Sequence, residues 1–302
     1  MSVVVPCYNE EGNILQLYKA LLPVLPEKCE IIFVNDGSRD ATGNRIKELR
    51  ETDKRVKYIL LSKNFGQQNA ILAGLVYTTG NCVISMDADL QHPPHLISAM
   101  LEKWQQGFDL VTTEREYDGQ PNSAKAIASR FFYYLLNAIS EIQLKPGQAD
   151  FALLDRKAVN VLTELHDPDM FIRGYVQWMG FKQTSLKYAP DKRFSGDSKY
   201  TFIKMLKLGL SGIVSFSIKP MRIAIGLGIG LFVISFFYAL AILFGVIINK
   251  EAYNDFKLLL GVILLLTSLQ FILLGAIGEY VARNFKLLKK KPAFIVDQME
   301  FD

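Results

Sequence analysis

The chain has 302 residues, half of them apolar, and 34 Lys and Arg against 30 Asp and Glu leave a formal net charge of +4. That balance is too small to point to nucleic acid, and the length allows two domains or one domain with an appendage. Cys7, Cys29 and Cys82 are odd in number and lack metal-ligand spacing, which suits a reducing compartment.

A short β-branched run predicts a strand over residues 2–6, and no basic region precedes it, so no signal peptide is expected. Cys7-Tyr8-Asn9-Glu10-Glu11-Gly12 breaks the strand, and Ile14, Leu17, Tyr18, Leu21 and Leu22 then recur at helical spacing. Further apolar strands are predicted over residues 30–35, ending at Asp36-Gly37-Ser38, and over 56–61, followed by Asn64-Phe65-Gly66. A helix through Ala70, Ile71, Gly74 and Leu75 comes next. A fourth run, Cys82-Val83-Ile84-Ser85-Met86, stops at Asp87-Ala88-Asp89-Leu90-Gln91, and Pro93 and Pro94 suit a helix's first turn. Strand–helix alternation at this spacing predicts an α/β fold with a mainly parallel, doubly wound sheet.

The chemistry concentrates at Asp87 and Asp89. If the strand stays extended, carboxylates at i and i+2 project to one face and repel each other. A divalent cation removes that cost, and Mg²⁺ is commonly held by one or two carboxylates together with substrate phosphates. The ends of parallel strands in open α/β sheets are also where ligands bind. Polar or acidic endings recur on three strands, at Asn9 and Glu10, at Asp36, and at Asp87 and Asp89. Together they predict a site for a nucleoside diphosphate and a metal.

Residues 108–113 read as another strand, and an amphipathic helix is predicted over 123–142. Gly147 opens a strand bracketed by Asp150 and Asp155; Asp155 is placed to cap the following helix, which leaves Asp150 for chemistry. A short helix is predicted over 171–179 and a strand over 182–188. A basic loop, Arg193-Phe194-Ser195-Gly196-Asp197-Ser198-Lys199, leads into an amphipathic interfacial helix over 201–219.

Residues 223–248 hold no charge in 26 positions and residues 258–278 none in 21, each long enough to cross a hydrocarbon core of ~30 Å. Lys199, Lys204, Lys207, Lys219 and Arg222 precede the first run; Arg283, Lys286, Lys289, Lys290 and Lys291 follow the second. The expected layout is a catalytic domain over 1–200, the interfacial helix 201–219, and membrane helices over 220–249 and 258–280. The helices are joined by an external loop over 250–257, and a basic tail occupies 281–302. Positive-inside asymmetry puts the catalytic domain and both termini of a multi-pass cell-membrane protein in the cytoplasm, against anionic lipid. A membrane-hung catalytic domain suggests a lipid acceptor, with phosphate bound by the cations and hydroxyls of Arg193, Ser195, Ser198 and Lys199. A phosphomonoester acceptor is mostly dianionic at neutral pH, its second pKa being near ~6, and needs little or no general base.

Val3-Val4-Val5-Pro6-Cys7-Tyr8-Asn9-Glu10-Glu11, Asn35-Asp36-Gly37-Ser38, Asn64-Phe65-Gly66, Asp87-Ala88-Asp89-Leu90-Gln91, the Arg193–Lys199 loop and Gly278-Glu279-Tyr280 resemble, in this order, the family 2 glycosyltransferases. The closer resemblance is to the polyprenyl-phosphate glycosyltransferases, such as bactoprenol glucosyltransferases and dolichol-phosphate mannosyltransferases. The resemblance implies a GT-A fold and inverting transfer from a nucleotide-diphosphate sugar, with a UDP-sugar the first choice, to a polyprenyl phosphate such as undecaprenyl phosphate. It implies that Pro6, Tyr8, Glu10, Asp36 and Asp87 bind the donor nucleotide, and that Asp87, Asp89 and Gln91 serve Mg²⁺ or Mn²⁺ and the diphosphate. Asp89 and Asp150 take the catalytic positions, and Arg115, Arg193, Ser195 and Lys199 bind acceptor phosphate. A homo-oligomer is implied as well, helped by the Gly226 and Gly230 spacing in the first span. Many relatives read Gly-Asp-Phe-Arg where this chain has Ala149-Asp150-Phe151-Ala152, removing a basic group near Asp150, and Asp118 replaces a second frequent arginine. The rival readings are a processive polysaccharide synthase and a non-catalytic nucleotide-sugar-binding membrane protein.

Overall fold

The computed structural model describes residues 1–116, 147–165, 170–189, 256–288 and 291–301, with single helical positions at 230, 233 and 237. Strands β1 (Ser2–Cys7), β2 (Glu30–Asn35), β3 (Val56–Leu61) and β4 (Cys82–Ser85) alternate with helices α1 (Ile14–Leu21), α2 (Thr42–Thr52) and α3 (Gln67–Val76). Next come α4 (Leu96–Gln105), β5 (Leu110–Arg115), β6 (Gln148–Asp155), α5 (Arg156–Glu164), α6 (Ile172–Trp178) and β7 (Gln183–Tyr188). The last described elements are α7 (Phe256–Leu288) and β8 (Val296–Glu300).

The eight strands form one sheet in the order β7-β5-β6-β4-β1-β2-β3-β8. The expected parallel core is present in β4-β1-β2-β3, and β5 pairs parallel with β7. The sheet is nevertheless mixed, because β6 runs antiparallel to both β4 and β5 and β8 runs antiparallel to β3. Side chains alternate across the strands: Val3 and Val5 face α1, α2 and α4, while Val4, Ile32 and Val34 face α3, α5 and α6. Gly74 lets α3 approach this closely, since a Cβ there would lie 2.3 Å from Val4 Cγ1. Pro6 is buried in β1 at the register where its absent N–H would point toward β4, whose pairing with β1 has ended at Val4 and Ser85.

The basic tail expected over 281–302 is structured in most of its length. α7 runs past Gly278 to Leu288, and β8 then completes the catalytic sheet beside β3. The pattern Val-Asp-Gln-Met-Glu is too short and polar to read as a strand without its neighbour. Side chains of α7 are described for only part of its length, and among the described residues no helix is long and apolar enough to cross a membrane. The interfacial helix, nearly all of the first expected span, and the helix over 123–142 lie outside the described residues.

At the edge of the sheet where the first strands begin, Glu30 is buried against Lys57 Nζ at 2.7 Å, Ser2 Oγ at 2.5 Å and the Thr79 N–H at 2.7 Å. Burial alone would raise its pKa, but the hydrogen bonds from Lys57, Ser2 and Thr79 outweigh burial and bring it to about 2. A folded-state pKa below the unfolded value means the stabilisation is complete above ~4.3 and is lost as pH falls toward 2. Glu30→Gln is therefore expected to cost roughly 2–3 kcal/mol at neutral pH and little below about pH 2. Thermal melts at both pH values would test this, and an equal cost at the two would refute it.

Candidate active site

Six strands deliver the site to one edge of the sheet. β1 and β2 end there in register, Cys7 opposite Asn35, so Tyr8, Asn9 and Glu10 emerge beside Asp36. β4 ends at Ser85, and antiparallel β6 starts at the same edge, with Ser85 opposite Ala152, which carries Asp150 beyond the end of β4. β5 and β7 finish at Arg115 and Tyr188. Reversal of β6 is what lets Asp150, near the start of its strand, meet Asp87 and Asp89, which follow the end of theirs.

The first two loops are laced together. The Asn9 N–H donates to Ser38 Oγ at 2.9 Å, the Arg39 N–H to Asn9 Oδ1 at 2.9 Å, and the Glu10 N–H to Thr42 Oγ1 at 2.8 Å. Asn9 adopts φ +54°, where asparagine is better tolerated than most residues. The Glu10 carboxylate accepts from Asn13 Nδ2 at 2.6 Å, and Tyr8 is half-buried at the rim. Asp36 is buried, and its two oxygens accept the Phe65 N–H at 2.7 Å and the Gly66 N–H at 2.9 Å. Its role in this structure is to clamp the Asn64-Phe65-Gly66 loop. Burial raises its pKa against those two bonds. Gly37 fits because its φ is +65° and a Cβ would sit 2.4 Å from the Lys63 carbonyl carbon.

The extended conformation expected through Asp87-Ala88-Asp89 does not continue. The strand stops at Ser85, Ala88 and Asp89 lie in a turn, and Leu90 adopts φ +62°. The carboxylates still converge, drawn together by the turn rather than by strand alternation. Asp89 is buried, with Oδ1 accepting the Gln91 N–H at 3.1 Å. Asp87 accepts from Gln67 Nε2 at 2.6 Å. Burial, then the charges of Asp150 and Asp89, push the Asp87 carboxyl up to about 7 against the pull of Arg115 and Gln67. Pro93 and Pro94 precede the first turn of α4 instead of occupying it, and their carbonyls accept the Leu96 and Ile97 N–H groups at 3.2 and 3.0 Å.

His92, absent from the residues the motif singles out, is the brace of this turn. It is fully buried, and its Nδ1 accepts the Asp87 N–H at 3.0 Å. Burial, and after it the Arg115 charge, hold its pKa down at about 4, so the ring is neutral and its proton sits on Nε2. The ring stacks on Phe151 at 5.1 Å and meets Tyr188 edge-on at 6.1 Å, while Arg115 Nε donates to Tyr188 Oη at 2.9 Å. Arg115 thus stands among the carboxylates, its Nη2 3.4 Å from His92 Nε2. His92→Ala orphans the Asp87 N–H and empties a ring-sized space, an expected cost of about 2–4 kcal/mol. We expect turnover to fall at least about tenfold with it, since the turn carrying both carboxylates loosens. Unchanged melting and turnover would show that the ring braces nothing.

The basic group that the sequence lacks at Ala152 is supplied by another element. Arg173 of α6 places Nε 3.0 Å from Asp150 Oδ1, and Gln68 of α3 donates Nε2 to Oδ2 at 3.2 Å. Asp150 therefore has structural partners that its sequence context does not reveal. Gln67 and Gln68 open α3 directly after Phe65-Gly66, a polar pair at a helix start that is the available signal for both contacts. Arg193, Ser195 and Lys199 lie outside the described residues.

Cys7 and Cys82 are buried free thiols that burial pushes up, Cys82 to about 11, so neither is a nucleophile here. Among the described residues, no group of three or more His, Cys, Asp or Glu side chains is placed to hold a metal ion. The donor set nonetheless fits a cation shared with substrate phosphates. The crowded carboxylates of Asp87 and Asp89 carry charge that a divalent ion would offset, and Mg²⁺ needs only one or two such ligands from the protein.

Residues 2–163 match the family described as Glycosyl transferase family 2. The chain belongs to this family. Among similar proteins, the uncharacterized glycosyltransferase YkcC of Bacillus subtilis is 38% identical over 300 residues, 98% of this chain and 93% of that one. The prophage bactoprenol glucosyl transferase homolog of Escherichia coli K12 is 34% identical over 303 residues, 99% of each. Glucosyl-3-phosphoglycerate synthase from Mycobacterium tuberculosis, solved with Mn²⁺, UDP and glucosyl-3-phosphoglycerate, overlays with a TM-score of 0.46 at 17% identity, covering 70% of this chain and 77% of that one. The family's matched segment takes in β1 through α5, and so all the described acidic groups of the site.

Proposed function

We propose that this glycosyltransferase moves a sugar from a nucleotide-diphosphate sugar to a polyprenyl phosphate at the inner face of the cell membrane. The observation that carries the reading is the convergence of Asp87, Asp89 and Asp150 with Arg115 at one sheet edge. The lipid acceptor is supported by similarity over 98% of the chain to Shigella phage SfX bactoprenol glucosyl transferase, at 34% identity.

The placement of β8 supports the membrane topology. β8, Val296–Glu300, belongs to the catalytic sheet, so any membrane excursion between β7 and β8 would cross an even number of times. The two apolar runs over 223–248 and 258–278 supply two crossings. Both ends of the anchor would then sit on the catalytic side, the arrangement that the flanking cations favour.

When bound, a divalent cation on Asp87, Asp89 and the donor phosphates would supply charge neutralisation for the departing diphosphate. The laced loops after β1 and β2 form the wall for base and ribose. Gln67 and His92 hold Asp87 in place from its side chain and its backbone. Asp150, paired with Arg173, is suited to orienting an acceptor. A dianionic phosphate oxygen attacks the anomeric carbon with no proton to surrender, and the bond to the diphosphate breaks on the opposite face.

The test is purified full-length protein with undecaprenyl phosphate in detergent, Mg²⁺ or Mn²⁺, and a panel of UDP- and GDP-sugars. A single-sugar lipid product from one donor is expected. A polymer would favour a processive synthase, and no product from any donor would overturn the reading.

A further inference from the structure

Asp150 is gripped from the starts of two helices, α6 and α3. Arg173, in the first turn of α6, sits 3.0 Å from Oδ1, and Gln68, in the first turn of α3, donates to Oδ2 at 3.2 Å. Both partners are themselves held. Arg173 Nη1 donates to the Gln148 carbonyl at 3.1 Å, and its guanidinium lies over Phe171 at 5.6 Å. Gln68 Oε1 accepts the Ile172 N–H at 3.0 Å, which ties the start of α6 to α3.

The surroundings explain why such a grip is needed. The Asp150 side chain is 9% exposed and shares its charge environment with Asp87 and Asp89. Without a cation it would be driven away from them. Arg115 serves the other side of the cluster, between His92 and Tyr188. Beside Arg173 lies a small cleft with about 20 Å³ of open space, lined by Ser85, Thr112, Asp150, Ala152 and Arg173 among others. Ala152, two residues after Asp150 and on the same face of β6, contributes only a methyl group, so nothing from β6 itself stands between the guanidinium and the carboxylate. Ser85 Oγ, buried in the same wall, has no hydrogen-bond partner among the described residues. Removing the guanidinium adds its own volume to that small cleft, which gives Asp150 somewhere to swing once its partner is gone.

We propose that Arg173 is the positioning residue for Asp150, and that it acts on transfer only through that carboxylate. The inference rests on the proposed function in taking Asp150 to be the group at the reacting centre. Losing the guanidinium would let Asp150 rotate into the cleft, misplacing it by an ångström or more. Displacements of that size cost about a hundredfold in rate.

The test uses the full-length protein with undecaprenyl phosphate and the best donor from the panel. Kinetics are measured for wild type, Arg173→Met, Arg173→Lys, Asp150→Asn and the Asp150→Asn/Arg173→Met double variant. Arg173→Met is expected to lower kcat about tenfold to a hundredfold with the acceptor KM changed less than about threefold, and Arg173→Lys to recover part of the loss. In the Asp150→Asn background, Arg173→Met should cost less than about threefold more, because the carboxylate it positions is already gone. Multiplying losses in the double variant, or an Arg173→Met effect confined to acceptor KM, would overturn the proposal and make Arg173 a phosphate ligand in its own right. UDP binding by calorimetry checks that each variant is folded; if Arg173→Met does not bind UDP, Arg173→Lys alone and in the Asp150→Asn background decides the same question. Wild-type protein that transfers nothing would instead sink the functional reading, a result separate from additive losses in an active enzyme.

Discussion

Asp89→Asn is expected to lower sugar transfer by about a hundredfold to a thousandfold while leaving the fold intact. Asp89 is buried in the turn after β4, and its described hydrogen bond is accepted from the Gln91 N–H. Asparagine is nearly isosteric, and its carbonyl oxygen can accept that same bond, so the turn keeps its shape. What disappears is one of the negative charges that crowd Asp87 and that a divalent ion would neutralise. A useful contrast is Asp155, at the opposite end of β6, which caps α5 through the Lys157 N–H at 3.0 Å and accepts from Trp104 Nε1 at 2.7 Å. Asp155→Ala should lower the melting temperature, at a cost of about 1–2 kcal/mol, with turnover per folded molecule unchanged. If Asp89→Asn transfers sugar at the wild-type rate, the acidic turn has no part in the reaction.

Removing β8 by ending the chain at residue 290 is expected to destabilise the catalytic domain, far as that cut lies from any active-site residue in sequence. Arg50 is the reason. Its side chain is 2% exposed and donates to the carbonyls of Lys54 and Val56, and Glu300 Oε1 lies 3.3 Å from its Nε. Glu300 Oε2 also accepts from Tyr58 Oη at 3.1 Å, and Phe301 packs on Tyr77 with ring centroids 5.5 Å apart. Truncation strips that counter-charge from a buried guanidinium, unpairs the β3 edge and uncovers Tyr77. Glu300 is itself 44% exposed, so its charge contributes less than a fully buried partner would. The summed loss is expected to be about 2–4 kcal/mol, seen as a lower melting temperature and as faster proteolysis of the catalytic domain. The full-length Glu300→Gln variant should show the smaller share of that loss. A truncated protein that melts with the wild type would show that β8 only decorates the edge.

The two predictions differ in how far the sequence foreshadows them. Asp87 and Asp89 stand at the end of an apolar run, and Asp36, Glu10 and Asn9 end other strands, so their arrival at one sheet edge follows from the parallel alternation, while the approach of Asp87 to Asp89 depends on the turn after β4. The cap at Asp155 was equally legible, because capping is local and its bond reaches only to residue 157. The role of Asp36 was not, since its partners at Phe65 and Gly66 are about thirty residues away in another loop. His92 leaves no mark in the sequence for a related reason. A histidine after an acidic turn carries no periodic signal, and its value comes from burial between Phe151 and Tyr188, which only the sheet brings together.

By itself, the sequence determined the four strands between Ser2 and Ser85, the helices after the first and third of them, the acidic edge they share, the capping aspartate and the family. These rest on periodicity and on short motifs, which are properties of neighbouring residues. Only the tertiary structure decided that β6 runs backwards to bring Asp150 to that edge, and that Arg173 and Gln68 seize it from two helices. Only it decided that the last strand of the chain closes a sheet opened by the first. Strand direction, a salt bridge across 23 residues and a pairing across more than 200 are set by packing and hydrogen-bond registry between distant segments. Such pairings leave no repeating trace in the residues on either side.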